Sequence, residues 1–384
     1  TMKSPIYLDY AAATPMDDKV LDSMLPYFKE NFYNPSASYD PAIGVKNKLN
    51  EARSSIAYWL GAKSSEIIFT AGGTEANNLA VTGVMEINPG KNLIISAIEH
   101  DSVILPAKKY IHKIAPVDSS GTIKIASLLS LIDNDTVLIS VMQANNEIGT
   151  LQPIKEIAQE IKRIRSQRLL SNNLTPLYLH TDAAQAANYL DIHHSQLGAD
   201  LISLNGGKIY GPKQTGILFV SSRVKLSPII LGGGQENEMR SGTENVAGFI
   251  GLACALDVTQ KMRKEEALRL QDLQNQFFNK IAVEMPEVII NGSKNKRLPN
   301  NIHISIPGVD NERIIALLNN AEVYIAAGSA CSASKNAPSH VLRAIGVSEE
   351  MTRSSIRISM GRGTSLKDMN TAFEIIQKLT KELL

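Results

Sequence analysis

Six short runs rich in Ile, Leu and Val, at 67–70, 93–96, 137–141, 177–181, 201–204 and 217–220, are almost continuously apolar and do not alternate with polar residues. A strand buries both faces only where helices cover the sheet on each side, so these runs predict strands of a mostly parallel sheet covered on both faces by helices. The intervening segments suit the covering helices. Val45, Leu49, Ala52, Ile56 and Trp59 recur at three- and four-residue spacing before Gly61, and Ile154, Ile157, Ile161 and Ile164 follow Pro153 in the same way. The first pattern is a helix with a glycine stop; the second carries proline in its first turn, where a missing amide costs nothing. The fold class is therefore α/β.

Past residue 260 the pattern changes. Residues 261–278 are charged and helical, 301–306 and 355–359 alternate like strands packed on one face, and 311–319 and 366–383 read as helices. This predicts two domains: a large α/β domain over 15–260, and a small α+β domain made of 1–14 and 261–384. A chain of 384 residues with 43% hydrophobic content can fill both cores.

Charge and cysteine content exclude several functions. Thirty-nine basic and 38 acidic side chains leave a formal charge of +1, which offers no field for nucleic acid or an anionic membrane. No apolar signal core follows Thr1, and no stretch approaches the roughly 18 apolar residues of a membrane span, so a cytoplasmic location is expected. Two cysteines are too few for a secreted disulfide scaffold and lack metal-ligand spacing. Cys254, inside the apolar run 249–256, reads as a buried structural thiol. His193 and His194 read as a solvated loop, His112, His303 and His340 as structural, and His180 as a packing residue at a strand end; no metal site is expected.

The polar residues at the strand ends carry the chemistry. Lys208 stands in the turn Asn205-Gly206-Gly207-Lys208-Ile209-Tyr210-Gly211-Pro212, and Asp182 and Gln185 follow the neighbouring run. A lysine able to form a Schiff base, a carboxylate to keep a ring nitrogen protonated and a glycine-rich turn near a phosphate suggest a pyridoxal phosphate enzyme. Gly72-Gly73-Thr74 follows a strand and opens a helix, where the Gly73 and Thr74 amides and the Thr74 hydroxyl can hold phosphate. That turn lacks both the dinucleotide fingerprint and the Gly-Lys-Thr of a triphosphate loop. His100, after the run at 93–96, can stack on a ring or move protons, and an asparagine in Asn145-Asn146 can donate to a carboxylate or a cofactor oxygen. In open α/β sheets such groups collect at the carboxyl edge. Cys331 lies among the small residues of 328–334, a setting suited to a thiol that swings between partners.

From Tyr7-Leu8-Asp9-Tyr10-Ala11-Ala12-Ala13-Thr14-Pro15 to Ser355-Ile356-Arg357-Ile358-Ser359, the ordered segments resemble the cysteine desulfurases of the class V aminotransferase group, which are fold-type-I pyridoxal phosphate-dependent transferases. The matching segments include Gly72-Gly73-Thr74-Glu75-Ala76-Asn77-Asn78, Glu99-His100, Asn145-Asn146-Glu147-Ile148-Gly149 and Asp182-Ala183-Ala184-Gln185. They continue through Lys208-Ile209-Tyr210-Gly211-Pro212-Lys213, Arg240-Ser241-Gly242-Thr243-Glu244-Asn245 and Gly328-Ser329-Ala330-Cys331-Ser332. The resemblance implies that Lys208 is the Schiff-base lysine, Asp182 the pyridinium partner, Gln185 a donor to the phenolic oxygen and His100 the stacked, proton-transferring imidazole. Gly73 and Thr74 would contact the phosphate, and Thr243 would reach the phosphate of the other subunit of a homodimer. Asn146 and Arg357 would hold the carboxylate of L-cysteine, and Cys331 would take its sulfur as a persulfide. The sulfur would pass to an acceptor protein, such as an iron–sulfur scaffold or a thiolation protein. A selenocysteine lyase or related β-lyase, and a catalytically weak sulfur-transfer scaffold, are the alternatives.

The pattern breaks at two positions. Asn205 and Gly207 stand where members of that family commonly carry serine and histidine. Asn205 retains a donor amide, whereas Gly207 offers only backbone, so altered phosphate anchoring is expected, at about 1–3 kcal/mol for one lost bond.

Overall fold

All six apolar runs form strands, and a seventh strand joins them at one edge. In the computed structural model, which describes residues 5–328 and 338–384, the sheet order is Ile67–Thr70, Gly216–Val220, Leu201–Asn205, Tyr178–Asp182, Thr136–Ser140, Asn92–Ser96 and Ile111–Ala115. Gly216–Val220 runs antiparallel to both neighbours, and the pairings from Leu201–Asn205 to Ile111–Ala115 are parallel. Cys331 lies outside the described residues. The strand Ile111–Ala115 was not among the expected elements. It pairs on one side only and exposes Ile111 and Ile114, so it carries no continuous apolar signature.

Apolar side chains alternate between two cores. Leu93, Ile95, Leu138, Leu201 and Leu218 pack with Leu79, Ala80 and Val84 of the helix Gly73–Glu86. Ile94, Ile139, Leu179, Ile202, Leu204 and Phe219 join a second core with residues of the helices Asp40–Leu60, Ile154–Leu170 and Val246–Glu284. Continuous hydrophobicity therefore corresponds to burial on both faces. Gly61, at φ 64°, ends the helix Asp40–Leu60 as expected. Gly216 permits a close approach: a Cβ there would lie 2.6 Å from the carbonyl carbon of Gly72 and 2.7 Å from the Leu204 oxygen. The turn at Gly72 thus rests against the end of Leu201–Asn205.

The helix expected from 261 instead begins at Val246 and runs unbroken to Glu284. It includes the apolar run around Cys254, which corrects the reading of that thiol as buried. Cys254 is only half-buried, its Sγ 3.7 Å from the Lys19 carbonyl, because it sits beside the helix face that packs on the sheet and not on it. Beyond this helix, Asn301–Ser305 pairs antiparallel with both Ser355–Ser359 and Ile289–Ile290. Ile6–Tyr7 pairs in parallel with Val323–Tyr324 and so joins the C-terminal half of the chain.

The alternation at 301–306 and 355–359 was expected to mark one solvated face. Instead every position of both strands is buried. Ile302, Ile304, Ile356 and Ile358 enter the core with Phe277, Phe373 and Ile376. The polar set is buried through hydrogen bonding: Ser305 to Ser355 at 2.6 Å, His303 to Asn291 at 3.1 Å, and Arg357 to Asn146 and Asp9. The polar face of this small sheet thereby meets the carboxyl edge of the large one.

Candidate active site

Five parallel-running strands deliver their polar ends to one cleft. Gly73 and Thr74 follow Ile67–Thr70, His100 follows Asn92–Ser96, Asn146 follows Thr136–Ser140, Asp182 closes Tyr178–Asp182 with Gln185 just beyond it, and Asn205 and Lys208 follow Leu201–Asn205. All of these line the same cavity, together with Arg357 from Ser355–Ser359. Thr243 does not; it stands exposed on a separate loop.

Asp182 is held on both oxygens. Its Oδ2 accepts from Asn77 Nδ2 at 2.7 Å and its Oδ1 from the Ala184 amide at 2.9 Å. Asn77 had no role in the sequence reading. Asn77 and Asn78 are adjacent in the first turns of one helix, and only packing decides that Asn77 turns inward, where it is buried, while Asn78 bonds back to Thr74. Beneath Asp182 on the same strand, His180 is fully buried with its ring nitrogens 2.8 Å from Ser140 Oγ and 2.9 Å from Ser203 Oγ. Burial pushes His180 down to about 4, so the imidazole is neutral at physiological pH. Glu99, also fully buried, accepts the Met142 amide on one oxygen; desolvation, with a smaller contribution from Asp182, raises its carboxyl well above the ordinary range.

His100 caps the helix Asp101–Ala107. Its Nδ1 accepts the Ser102 amide at 3.1 Å and lies 2.8 Å from the Ser102 hydroxyl, which fixes the orientation of the ring.

A turn near the N-terminus organises the remaining groups. Lys208 Nζ donates to the carbonyls of Ala11 at 2.8 Å and Ala12 at 2.5 Å, and Gln185 Nε2 donates to Ala11 at 3.0 Å. Backbone carbonyls leave no mark in side-chain pattern, so the sequence reading missed these partners. Two residues earlier, Asp9 accepts from Arg357 Nη2 at 2.7 Å, while Arg357 Nη1 donates to the Asn146 carbonyl at 2.9 Å. Arg357 is 1% exposed, and its Nε has no partner among the described residues. Asn205 accepts the Gly207 amide at 3.0 Å and so caps the short helical turn Gly206–Lys208.

This donor set fits pyridoxal phosphate. The cleft brings together a primary amine, a buried carboxylate whose oxygens are already fixed, and the first-turn amides and Thr74 hydroxyl of a 14-residue helix. In the same lining, the buried guanidinium of Arg357, with an unpaired donor, suits a substrate carboxylate.

Comparison with known proteins agrees. The aminotransferase class-V family model matches residues 6–371. A cysteine desulfurase IscS of Dictyoglomus turgidum is 39% identical over 390 residues, covering 100% of this chain and 96% of the relative. That of Methanosarcina thermophila is 37% identical, covering 100% and 94%. Among solved structures, a NifS-like protein superposes with a TM-score of 0.88 at 29% identity over 98% of this chain and 100% of its own. SspA in complex with cysteine superposes with a TM-score of 0.80 at 34% identity, covering 92% and 98%.

Proposed function

This chain belongs to the aminotransferase class-V family, as a fold-type-I pyridoxal phosphate enzyme of the cysteine desulfurase group, and from that premise we propose that it converts L-cysteine to L-alanine and leaves the sulfur on Cys331. The observation that carries the reading is the convergence of Lys208, Asp182 and Arg357 on one cleft. In balance, L-cysteine and the Cys331 thiol give L-alanine and a Cys331 persulfide: the carbon–sulfur bond breaks, a sulfur–sulfur bond forms, and no outside oxidant is needed.

The cofactor, when bound, supplies an electron sink for the substrate α-carbon. Gly73, Thr74 and Asn205 would hold it at the phosphate, Asp182 at the ring nitrogen, Gln185 at the phenolic oxygen, and Lys208 covalently. Arg357 and Asn146 would orient the substrate carboxylate. Asn77 keeps Asp182 aimed and gives one of its oxygens a permanent donor. His100, with Nδ1 committed to the Ser102 amide, exchanges its proton through Nε2. Cys331 must be a thiolate to attack the substrate sulfur.

A homodimer completes the proposal. Leu25, Phe28, Phe32, Tyr39 and Ile43 are all exposed within one short stretch, which is unusual for large apolar side chains on a free surface. Thr243 stands outside its own cleft, where it would serve a second copy. The persulfide would then pass to an acceptor protein. Among the described residues no helix is long and apolar enough to cross a membrane.

Intact-protein mass spectrometry of the cofactor-loaded enzyme after cysteine addition tests the core of this reading. The expected result is one added sulfur on the wild type and none on Cys331→Ser, with alanine formation lost in the variant. Undiminished turnover by Cys331→Ser would refute the persulfide step, and a wild-type chain that takes up no cofactor would refute the whole assignment.

A further inference from the structure

Gly207 is not glycine for want of room. Two other glycines of the same turn have no space for a side chain: a Cβ on Gly206 would lie 2.2 Å from Thr215 Oγ1, and one on Gly211 would lie 2.9 Å from the Gly206 carbonyl. At Gly207 the nearest atoms to a Cβ are Lys213 Cγ at 3.5 Å, Asn205 Oδ1 at 3.6 Å and Lys213 Cα at 3.7 Å, all ordinary contacts. Nor is its backbone in the left-handed region. Lys213 is thus the nearest neighbour of the space a side chain on Gly207 would enter.

Lys213 lines the open cleft at the start of the helix Gly73–Glu86, together with Gly72, Gly73, Thr74 and Asn205. It is exposed and makes no hydrogen bond or ion pair with another described residue. Glu75 lines the same cleft, but its carboxylate is engaged by Arg240 Nε at 2.9 Å and by the Ala71 amide at 3.1 Å. An uncommitted ammonium on a long stem beside helix amides is matched to a doubly charged phosphate.

We propose that Lys213 is a phosphate-binding residue of this enzyme, supplying from the far side of the turn the contact that Gly207 cannot make. The inference rests on the cofactor phosphate occupying the Gly73–Thr74 turn. A flexible lysine at the mouth of the cleft anchors through charge, so its contribution falls with salt, unlike that of a buried donor.

Cofactor affinity, read from the visible absorbance of the lysine-linked chromophore, tests it against unphosphorylated pyridoxal. Lys213→Ala is expected to weaken pyridoxal phosphate binding roughly 10- to 100-fold, the range of one charge-assisted hydrogen bond. Pyridoxal binding should be unchanged, Lys213→Arg should retain most of the affinity, and added salt should weaken the wild type more than Lys213→Ala. Equal affinity of wild type and Lys213→Ala for pyridoxal phosphate overturns the proposal, as does an equal loss for both ligands, which would mark a structural role. If the wild type binds pyridoxal as well as its phosphate ester, the placement of the phosphate falls and this inference with it. If it binds neither, the cofactor assignment itself fails.

Discussion

Arg357 joins three elements through one guanidinium. Its two Nη groups hold the Asn146 carbonyl and the Asp9 carboxylate, so the planar fork is oriented before any ligand arrives. Lysine could reach one of these partners but not both. Arg357→Lys is therefore expected to raise the KM for cysteine by about 10- to 100-fold, the loss of one charge-assisted contact, with a smaller change in kcat. Steady-state alanine formation measures the split, and an unchanged KM would remove Arg357 from substrate binding. The residues of this site that were legible in the sequence are those whose chemistry is rare, such as a lysine in a glycine-rich turn. Asn77, Ser102 and the carbonyls of Ala11 and Ala12 were not, because their partners are chosen by tertiary packing and their residue types are common.

At the scale of elements, the loop between Gly216–Val220 and Val246–Glu284 has the most unusual backbone. Glu236, Asn237 and Glu238 have φ of 49°, 55° and 66°, three successive non-glycine residues in the left-handed region, at about 1–3 kcal/mol each. A buried pair holds them there. Arg53 donates through both Nη groups to Glu236 at 2.6 Å, and the Phe69 amide donates to the same carboxylate at 2.8 Å. Arg53→Ala would leave Glu236 buried without its cation and is expected to cost about 3–5 kcal/mol. Urea denaturation measures this; a loss under about 1 kcal/mol would mean that the loop relaxes freely. Six of the seven strands were readable because burial on both faces leaves a continuous apolar run. Ile111–Ala115 was not, since that edge strand leaves Ile111 and Ile114 exposed and interrupts its apolar residues with His112 and Lys113, whereas Ile67–Thr70 at the opposite edge is buried throughout; the start of Val246–Glu284 was hidden in an apolar run that has no polar face to reveal its period.

For the molecule as a whole, two fully buried histidines lower stability on acidification, while Glu99, whose raised carboxyl takes up its proton first in the folded chain, acts in the opposite sense. Burial lowers His180 from 6.5 to about 4, and burial with the charges of Arg297 and Arg357 lowers His303 to about 3. The unfolded chain takes up protons at both below about pH 6.5, while the folded chain does not. Their contribution is thus fully present above that pH and is lost as pH falls toward 4 and then 3, by about 1.4 kcal/mol per pH unit for each. On acidification from about pH 7 to pH 5 the urea midpoint of the wild type should fall further, relative to its pH 7 value, than that of His303→Gln, a difference to which Glu99 does not contribute. The same pH dependence in both chains would contradict the neutral assignment of His303.

The turn at Asp9–Ala13 has a consequence for how damage to this protein would present. It grips Arg357 with one residue and Lys208 with two carbonyls, and it is suspended from the short pairing of Ile6–Tyr7 with Val323–Tyr324. Lesions confined to Asp9 and residues 11–13 should therefore register as faults of catalysis before they register as loss of folding, since what they slacken is the tether between the amine and the guanidinium of the cleft.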